Sequence, residues 1–237
     1  MRKKNIAIVL AAGKGKRMRS TVYKQYLLLQ KKPVICYCLD VFEQSFIDEI
    51  IIVVGKGEQE YCEKEIVQKY GYHKVSKIVE GGQERYHSVF FGLKAIENAE
   101  YVFIHDGARP FISEELLLEL KKEVEKNKAC VAAVPVKDTI KEADEFGMTL
   151  KTLERSKLWA VQTPQVFLFP IVKKAYENLI NDEKKGILLT KITDDCMVVE
   201  KYAGVQSKLV YSTYKNIKIT TEEDLIIANT FMLEETE

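Results

Sequence analysis

The stretch from Leu10 to Tyr26 reads "LAAGKGKRMRSTVYKQY" and follows directly on the apolar run "NIAIV". Its charged side chains are Lys14, Lys16, Arg17, Arg19 and Lys24, with no carboxylate among them. Gly13 and Gly15 between a first strand and a first helix let backbone N–H groups close on an anion, because no side chain stands in the way. The added cations suit a polyphosphate. The dinucleotide pattern G-x-G-x-x-G would need glycine where Met18 stands, and no acidic residue closes a second strand about 20 residues on. The P-loop spacing is absent as well. Further polar clusters are "GGQERYHSV" (81–89), "HDGARP" (105–110), "KDTIK" (137–141), "QTPQ" (162–165), "ITDD" (192–195) and "NIKIT" (216–220). Each alone is also ordinary turn or cap chemistry: Gly81-Gly82 and Asp106-Gly107 suit tight turns, and Thr193 suits a helix N-cap.

These clusters gain weight from the elements that must carry them. Short β-branched runs recur at 5–10, 49–55, 74–80, 101–106 and 129–136, apolar almost throughout, as strands covered on both faces are. Between them lie helical patterns. "PVICYCLDVFEQS" has Pro33 at a first-turn position, and "SEELLLELKKEVEKN" opens on a Ser N-cap followed by acids. The β-α-β rhythm predicts an α/β fold with a doubly wound, mainly parallel twisted sheet, whose ligands sit at the carboxyl ends of the strands. Most of the polar clusters stand at such ends, and "QTPQ" precedes a predicted helix near 168–180. After Val136, "KDTIKEAD" and "MTLKTLERS" flank "EFG", which reads as a protruding hairpin, either a solvated one or a dimerisation arm. A short helix near 194–201, strands near 206–211 and 216–219, and a capped helix from "TTEEDLIIANTFML" complete the reading.

At 237 residues the chain can bury roughly 70–75% of its unfolded surface without a disulfide or structural metal, and one domain over 1–237 is expected. With 36 basic and 35 acidic residues the net charge is +1, which argues against a nucleic-acid partner and leaves local basic clusters as the informative feature. No run approaches the roughly 20 apolar residues of a membrane span, and the N-terminal apolar run is too short for a signal peptide. A cytoplasmic protein is expected. Cys36, Cys38, Cys62, Cys130 and Cys196 are odd in number and set among apolar residues, as buried reduced thiols are. The 3 histidines are scattered, so a His-driven mechanism is not indicated.

"LAAGKGKRM", "KQYL", "GGQERYHSV", "HDGARP", "AVPVKDTIK", "ERSKLWAVQTPQVF", "ITDD" and "NIKITTEEDL", spread from Asn5 to Leu233, together resemble the 2-C-methyl-D-erythritol 4-phosphate cytidylyltransferase family. The resemblance implies a Rossmann-like nucleotidyltransferase that moves CMP from CTP to methylerythritol phosphate, releasing pyrophosphate, with a divalent metal, usually Mg²⁺. It places Arg17 and Lys24 at the transition state and Ala11, Ala12, Gly13 and Gly15 along the nucleotide. Gly82 and Ser88 are placed at the base, and Asp106, Ala108 and Arg109 near ribose, phosphates or metal, with Asp106 the metal candidate. Thr139, Arg155, Thr163, Thr193 and Lys218 are assigned to the acceptor, Arg155 and Lys218 gripping its phosphate. It also implies a homodimer through the arm at about 137–155.

The attacking group would be a phosphate monoester, largely dianionic at pH 7 because its second pKa is about 6, so no side chain need serve as general base. The work falls to positioned cations. Ribitol-5-phosphate cytidylyltransferases share many of the same motifs and form the alternative reading; a non-catalytic regulator on the same fold fits less well with Arg17, Lys24, Arg155 and Lys218 all present. The chain departs from the family pattern at Tyr23, where proline is usual before Lys-Gln-Tyr, at Tyr86 and His87, and at Cys196-Met197 after "TDD".

Overall fold

A computed structural model describes residues 3–13, 23–187 and 191–234. Gly15 and Arg17 of the basic loop, with Lys14, Lys16 and Arg19, lie outside the described residues. In chain order, β1 (Asn5–Ala11) precedes a small hairpin of β2 (Leu28–Leu29) and β3 (Lys32–Pro33), then α1 (Val34–Gln44) and β4 (Glu49–Val54). Next come α2 (Gln59–Tyr61), continued by a π-helical stretch Cys62–Gln68, then β5 (Val75–Glu80), α3 (Arg85–Ala95), β6 (Tyr101–Asp106), α4 (Glu114–Asn127) and β7 (Ala129–Pro135). The hairpin β8 (Lys141–Ala143) and β9 (Thr149–Thr152) leads to β10 (Trp159–Leu168), α5 (Phe169–Lys184), α6 (Asp195–Ala203), β11 (Lys208–Tyr211) and α7 (Glu222–Glu234).

Seven strands form one sheet in the order β11-β7-β10-β6-β1-β4-β5. Alternate residues of β1 explain why its sequence is apolar throughout. Ala7, Val9 and Ala11 enter the core shared with Ile35, Leu39 and Phe42 of α1 and Leu117, Leu120 and Val124 of α4. Ile6 and Ile8 point the other way, into the core of Val89 and Leu93 from α3 and Val172, Tyr176 and Leu179 from α5. Helices therefore cover both faces, as the sequence pattern requires. α4 begins as expected, with the Ser113 side chain accepting from Leu116 N. All five cysteines are buried and free.

Several expectations are corrected. "QTPQ" does not simply precede a helix: it lies inside β10, a long strand antiparallel to both β6 and β7, whose register shifts between Val161 and Gln165. The bulge, with a cis peptide at Thr163-Pro164, breaks the apolar pattern that marks a strand. Residues 216–219 form no strand, because their backbone is committed elsewhere: Ile219 N donates to Ala108 O and Asn216 O accepts from Arg109 Nη1. Asp194, not Thr193, caps α6, accepting from Met197 N at 3.0 Å. Pro33 occupies the N-cap position of α1 rather than its first turn. The "EFG" segment does form the turn of an antiparallel hairpin, β8 with β9, in which every residue of both strands is exposed.

Candidate active site

The carboxyl ends of β1, β5 and β6 open on a crevice of about 700 Å³, lined by Leu10, Ala12, Gly13, Lys24, Gln25, Gly55, Lys56, residues 81–85, Ser88, Asp106, Ala108 and Lys218. Backbone turns build its walls. Gln25 is buried, and its side-chain amide donates to Ala11 O, which seats the short helical turn at Lys24–Tyr26 against the end of β1 and places Lys24 on the crevice wall. On the facing loop, Gly82 N donates to Ser88 Oγ at 3.2 Å. A Cβ at Gly82 would run into His87 Cβ, so this close approach requires glycine.

Asp106 is the electrostatic centre. Its Oδ1 accepts from Arg85 Nε at 3.3 Å, while its Oδ2 lies 2.7 Å from Lys218 Nζ and 3.9 Å from Arg109 Nε. Burial by itself would raise this carboxyl; the charges of Arg85, Lys218 and Arg109 outweigh it and hold the group far below the usual carboxylate range. Asp106 is thus ionised at neutral pH. Arg85 also sends both terminal nitrogens to Asp195, at 2.7 and 2.8 Å, and Asp195 is fully buried. Three cations therefore share two carboxylates, an excess of positive charge at the crevice floor. Arg109 Nε is buried with no hydrogen-bond partner among the described residues.

Beneath the floor runs a neutral relay. Burial lowers His105 to about 4, so its imidazole is uncharged at pH 7. Its Nε2 lies 3.0 Å from the Arg109 carbonyl, which only a protonated Nε2 satisfies, and Nδ1 then accepts from Thr163 Oγ1 at 3.0 Å. Thr163 Oγ1 in turn accepts from Asp106 N at 3.1 Å. The segment 216–220 is pinned above by Asn216, whose side-chain amide donates to Gln162 Oε1 and to Thr163 O, both at 3.0 Å. That anchoring delivers Lys218 to Asp106.

The structure thus gathers Ala12, Gly13, Lys24, Gly82, Ser88, Asp106, Ala108 and Lys218 on the crevice, with Ala11 and Arg109 directly behind it. Thr163 is buried, with its hydroxyl spent on Asp106 and His105. Thr139, Arg155 and Thr193 are exposed and do not line the crevice of their own chain; Arg155 Nη1 donates to Lys137 O at the base of the arm. Sequence reasoning passed over Arg85, Asp195, Gln25 and Lys56. For Arg85 a signal existed, a single arginine just after the Gly81-Gly82 turn at a strand end. Tyr86 and His87 both bond the Glu183 carboxylate of α5, and His87 Nδ1 also accepts from Glu84 N in the loop after Gly82 at 3.2 Å.

Known proteins resemble this chain over nearly its whole length. The family model described as 2-C-methyl-D-erythritol 4-phosphate cytidylyltransferase (IspD) matches residues 5–234. A protein of that name from Lachnoclostridium phytofermentans is 47% identical, covering 96% of both chains. Another, from Alkaliphilus metalliredigens, is 50% identical over 93% of this chain and 89% of its own. The crystal structure of 4-diphosphocytidyl-2C-methyl-D-erythritol synthase from Anaerococcus prevotii superposes with a TM-score of 0.84 at 35% identity, covering 98% of this chain and 96% of that one. The chain belongs to the 2-C-methyl-D-erythritol 4-phosphate cytidylyltransferase family of nucleotidyltransferases.

Proposed function

We propose that the crevice is where this enzyme transfers the cytidylyl group of CTP to 2-C-methyl-D-erythritol 4-phosphate, giving 4-diphosphocytidyl-2-C-methyl-D-erythritol and pyrophosphate. An acceptor phosphate oxygen attacks the α-phosphorus of CTP and the bond to the pyrophosphate oxygen breaks. The observation that carries this reading is the cationic excess at the strand ends, where Arg85, Arg109 and Lys218 surround Asp106 and Lys24 stands on the wall. Such a site suits two anions that must meet, with charge building on the α-phosphate. The only histidine near the floor is neutral and fully engaged, which fits a reaction whose nucleophile is already ionised.

Within this reading, Lys24 holds the triphosphate and stabilises the transition state together with Arg17, which lies outside the described residues. Ala11, Ala12, Gly13 and Gly15 follow the nucleotide with backbone groups, Gly82 and Ser88 face the base, and Ala108 and Arg109 stand beside ribose and phosphates. Lys218 and Arg155 orient the acceptor phosphate, with Thr139 and Thr193 beside the acceptor and Thr163 setting the Asp106 backbone. Asp106 would give Mg²⁺ brought in with the triphosphate a carboxylate oxygen only in exchange for Lys218 or Arg85, which hold both oxygens here; that ion commonly takes one or two carboxylates and completes its shell with phosphate oxygens and water. No cluster of three His, Cys, Asp or Glu side chains that would cage a metal on protein ligands alone exists among the described residues. The bound ion would neutralise phosphate charge and polarise the α-phosphoryl group.

We further propose a cytoplasmic homodimer of single-domain subunits. Among the described residues no helix is long and apolar enough to cross a membrane. Phe146, Met148 and Leu150 on the arm are 82%, 68% and 62% exposed, an apolar surface suited to a partner, and Thr139 and Arg155 at its base would complete the partner's acceptor site. A pyrophosphate-release assay crossing the four ribonucleoside triphosphates with methylerythritol 4-phosphate and ribitol 5-phosphate tests the activity. Turnover is expected with CTP and methylerythritol 4-phosphate; preference for ribitol 5-phosphate would move the chain to the alternative acceptor, and no turnover with CTP on either would leave the regulator reading.

A further inference from the structure

Arg85 opens α3, and its guanidinium is divided between two carboxylates on two other elements. The terminal nitrogens make a two-pronged contact with Asp195 at the start of α6, while Nε takes Oδ1 of Asp106 at the end of β6. Asp195 is itself held: Tyr176 of α5 donates to its Oδ1, and its backbone N donates to Gln165 Oε1 at 3.0 Å. Arg85 is therefore anchored to the fold by a fully buried, fixed carboxylate, with its Nε–H directed to Asp106 at the crevice floor. With Oδ1 of Asp106 taken by Arg85, Oδ2 is the oxygen that meets Lys218 and Arg109. That carboxylate is thus held from both sides, by Arg85 at Oδ1 and by Lys218 at Oδ2. The same side chain joins α3, which carries Ser88 and follows the Gly82 loop, to α6, which Thr193 and Asp194 precede.

We propose that Arg85, clamped by Asp195, is a positioning residue that orients the Asp106 carboxylate and keeps the nucleotide-side helix α3 in register with the acceptor-side helix α6. This rests on the crevice being the reaction site. Stability alone is a poor reason for such a group, because buried ion triads are often replaced by apolar residues at no cost. Lysine cannot substitute. Its compact ammonium cannot reproduce the planar fork that reaches Asp195 bidentately while Nε faces Asp106.

The test uses full-length Arg85→Lys, Arg85→Ala and Asp195→Asn proteins, with CTP binding measured by calorimetry, kcat and KM for both substrates, and thermal midpoints. Arg85→Lys should bind CTP nearly as tightly as the parent while kcat falls about a hundredfold, the scale of a misplaced reacting group. Methylguanidinium added to Arg85→Ala should restore turnover, and methylammonium should not. Turnover in Arg85→Lys equal to the parent's, with only a lower thermal midpoint, would overturn the proposal, as would absence of guanidinium rescue in folded Arg85→Ala. Loss of CTP binding in Arg85→Lys would replace positioning by direct nucleotide contact. If Arg85→Ala does not fold, Arg85→Lys and Asp195→Asn decide, the latter expected to lower kcat in the same way. Lys24→Ala and Asp106→Asn separate the two levels of inference: unchanged turnover in both would remove the crevice as the reaction site, whereas their failure beside a fully active Arg85→Lys removes only the role of Arg85.

Discussion

Thr163 shows how a residue's type and its placement carry different information. As one hydroxyl in "QTPQ" it is a plausible ligand for an acceptor, yet its oxygen both accepts from Asp106 N and donates to the neutral His105. Thr163→Val keeps the shape and strands two buried polar groups, so unfolding should become easier by about 1–3 kcal/mol. Denaturant melts check this, and kcat should fall while the KM for the acceptor holds. A raised acceptor KM with unchanged stability would instead make Thr163 a substrate contact. Tyr86 and His87 teach the converse. In the sequence they stand beside the Gly81-Gly82 turn as departures from the family pattern, but both side chains are drawn to Glu183, on a helix 97 and 96 residues away in the chain. No local pattern contains that partner.

Among the elements, the strands and long helices were legible because each carries its own period and caps. Five predicted strands and the Ser113-capped helix form within a residue or two of their expected limits. β10 and the segment 216–220 were not, since each is shaped by neighbours: β10 by the bulge that lets it pair with both β6 and β7, 216–220 by bonds to Ala108 and Arg109. The entry to Lys24 is a third case. Tyr23 replaces the proline usual in the family, yet its backbone sits at φ −63°, ψ 138°, dihedrals proline itself adopts. Tyr23→Pro should therefore leave the crevice intact and stabilise the fold by about 0.4–1 kcal/mol through the unfolded chain. A differential scanning experiment showing a lower midpoint would mean that the tyrosine side chain or its N–H contributes more than the restriction supplies.

For the whole molecule, the arm carries the most exposed large apolar side chain among the described residues, Phe146. β8 and β9 touch each other and leave Phe146, Met148 and Leu150 in solvent, while Thr139 and Arg155 stand apart from the crevice of their own chain. Deleting 142–150 should give a monomer by sedimentation that unfolds cooperatively, binds CTP and turns over at most a small fraction of the parent rate; a fully active monomer would refute the shared site. By itself the sequence determined the layered α/β architecture, the gathering of polar clusters at strand ends, and the family, because hydrophobic period and short motifs are local properties of a chain. Only the tertiary structure decided which cations meet which carboxylate, that Asp106 stands at their centre and that Thr163 lies beneath it. Those are relations between residues as many as 110 positions apart, as in Arg85 and Asp195, and they exist only once the sheet has brought its strand ends together.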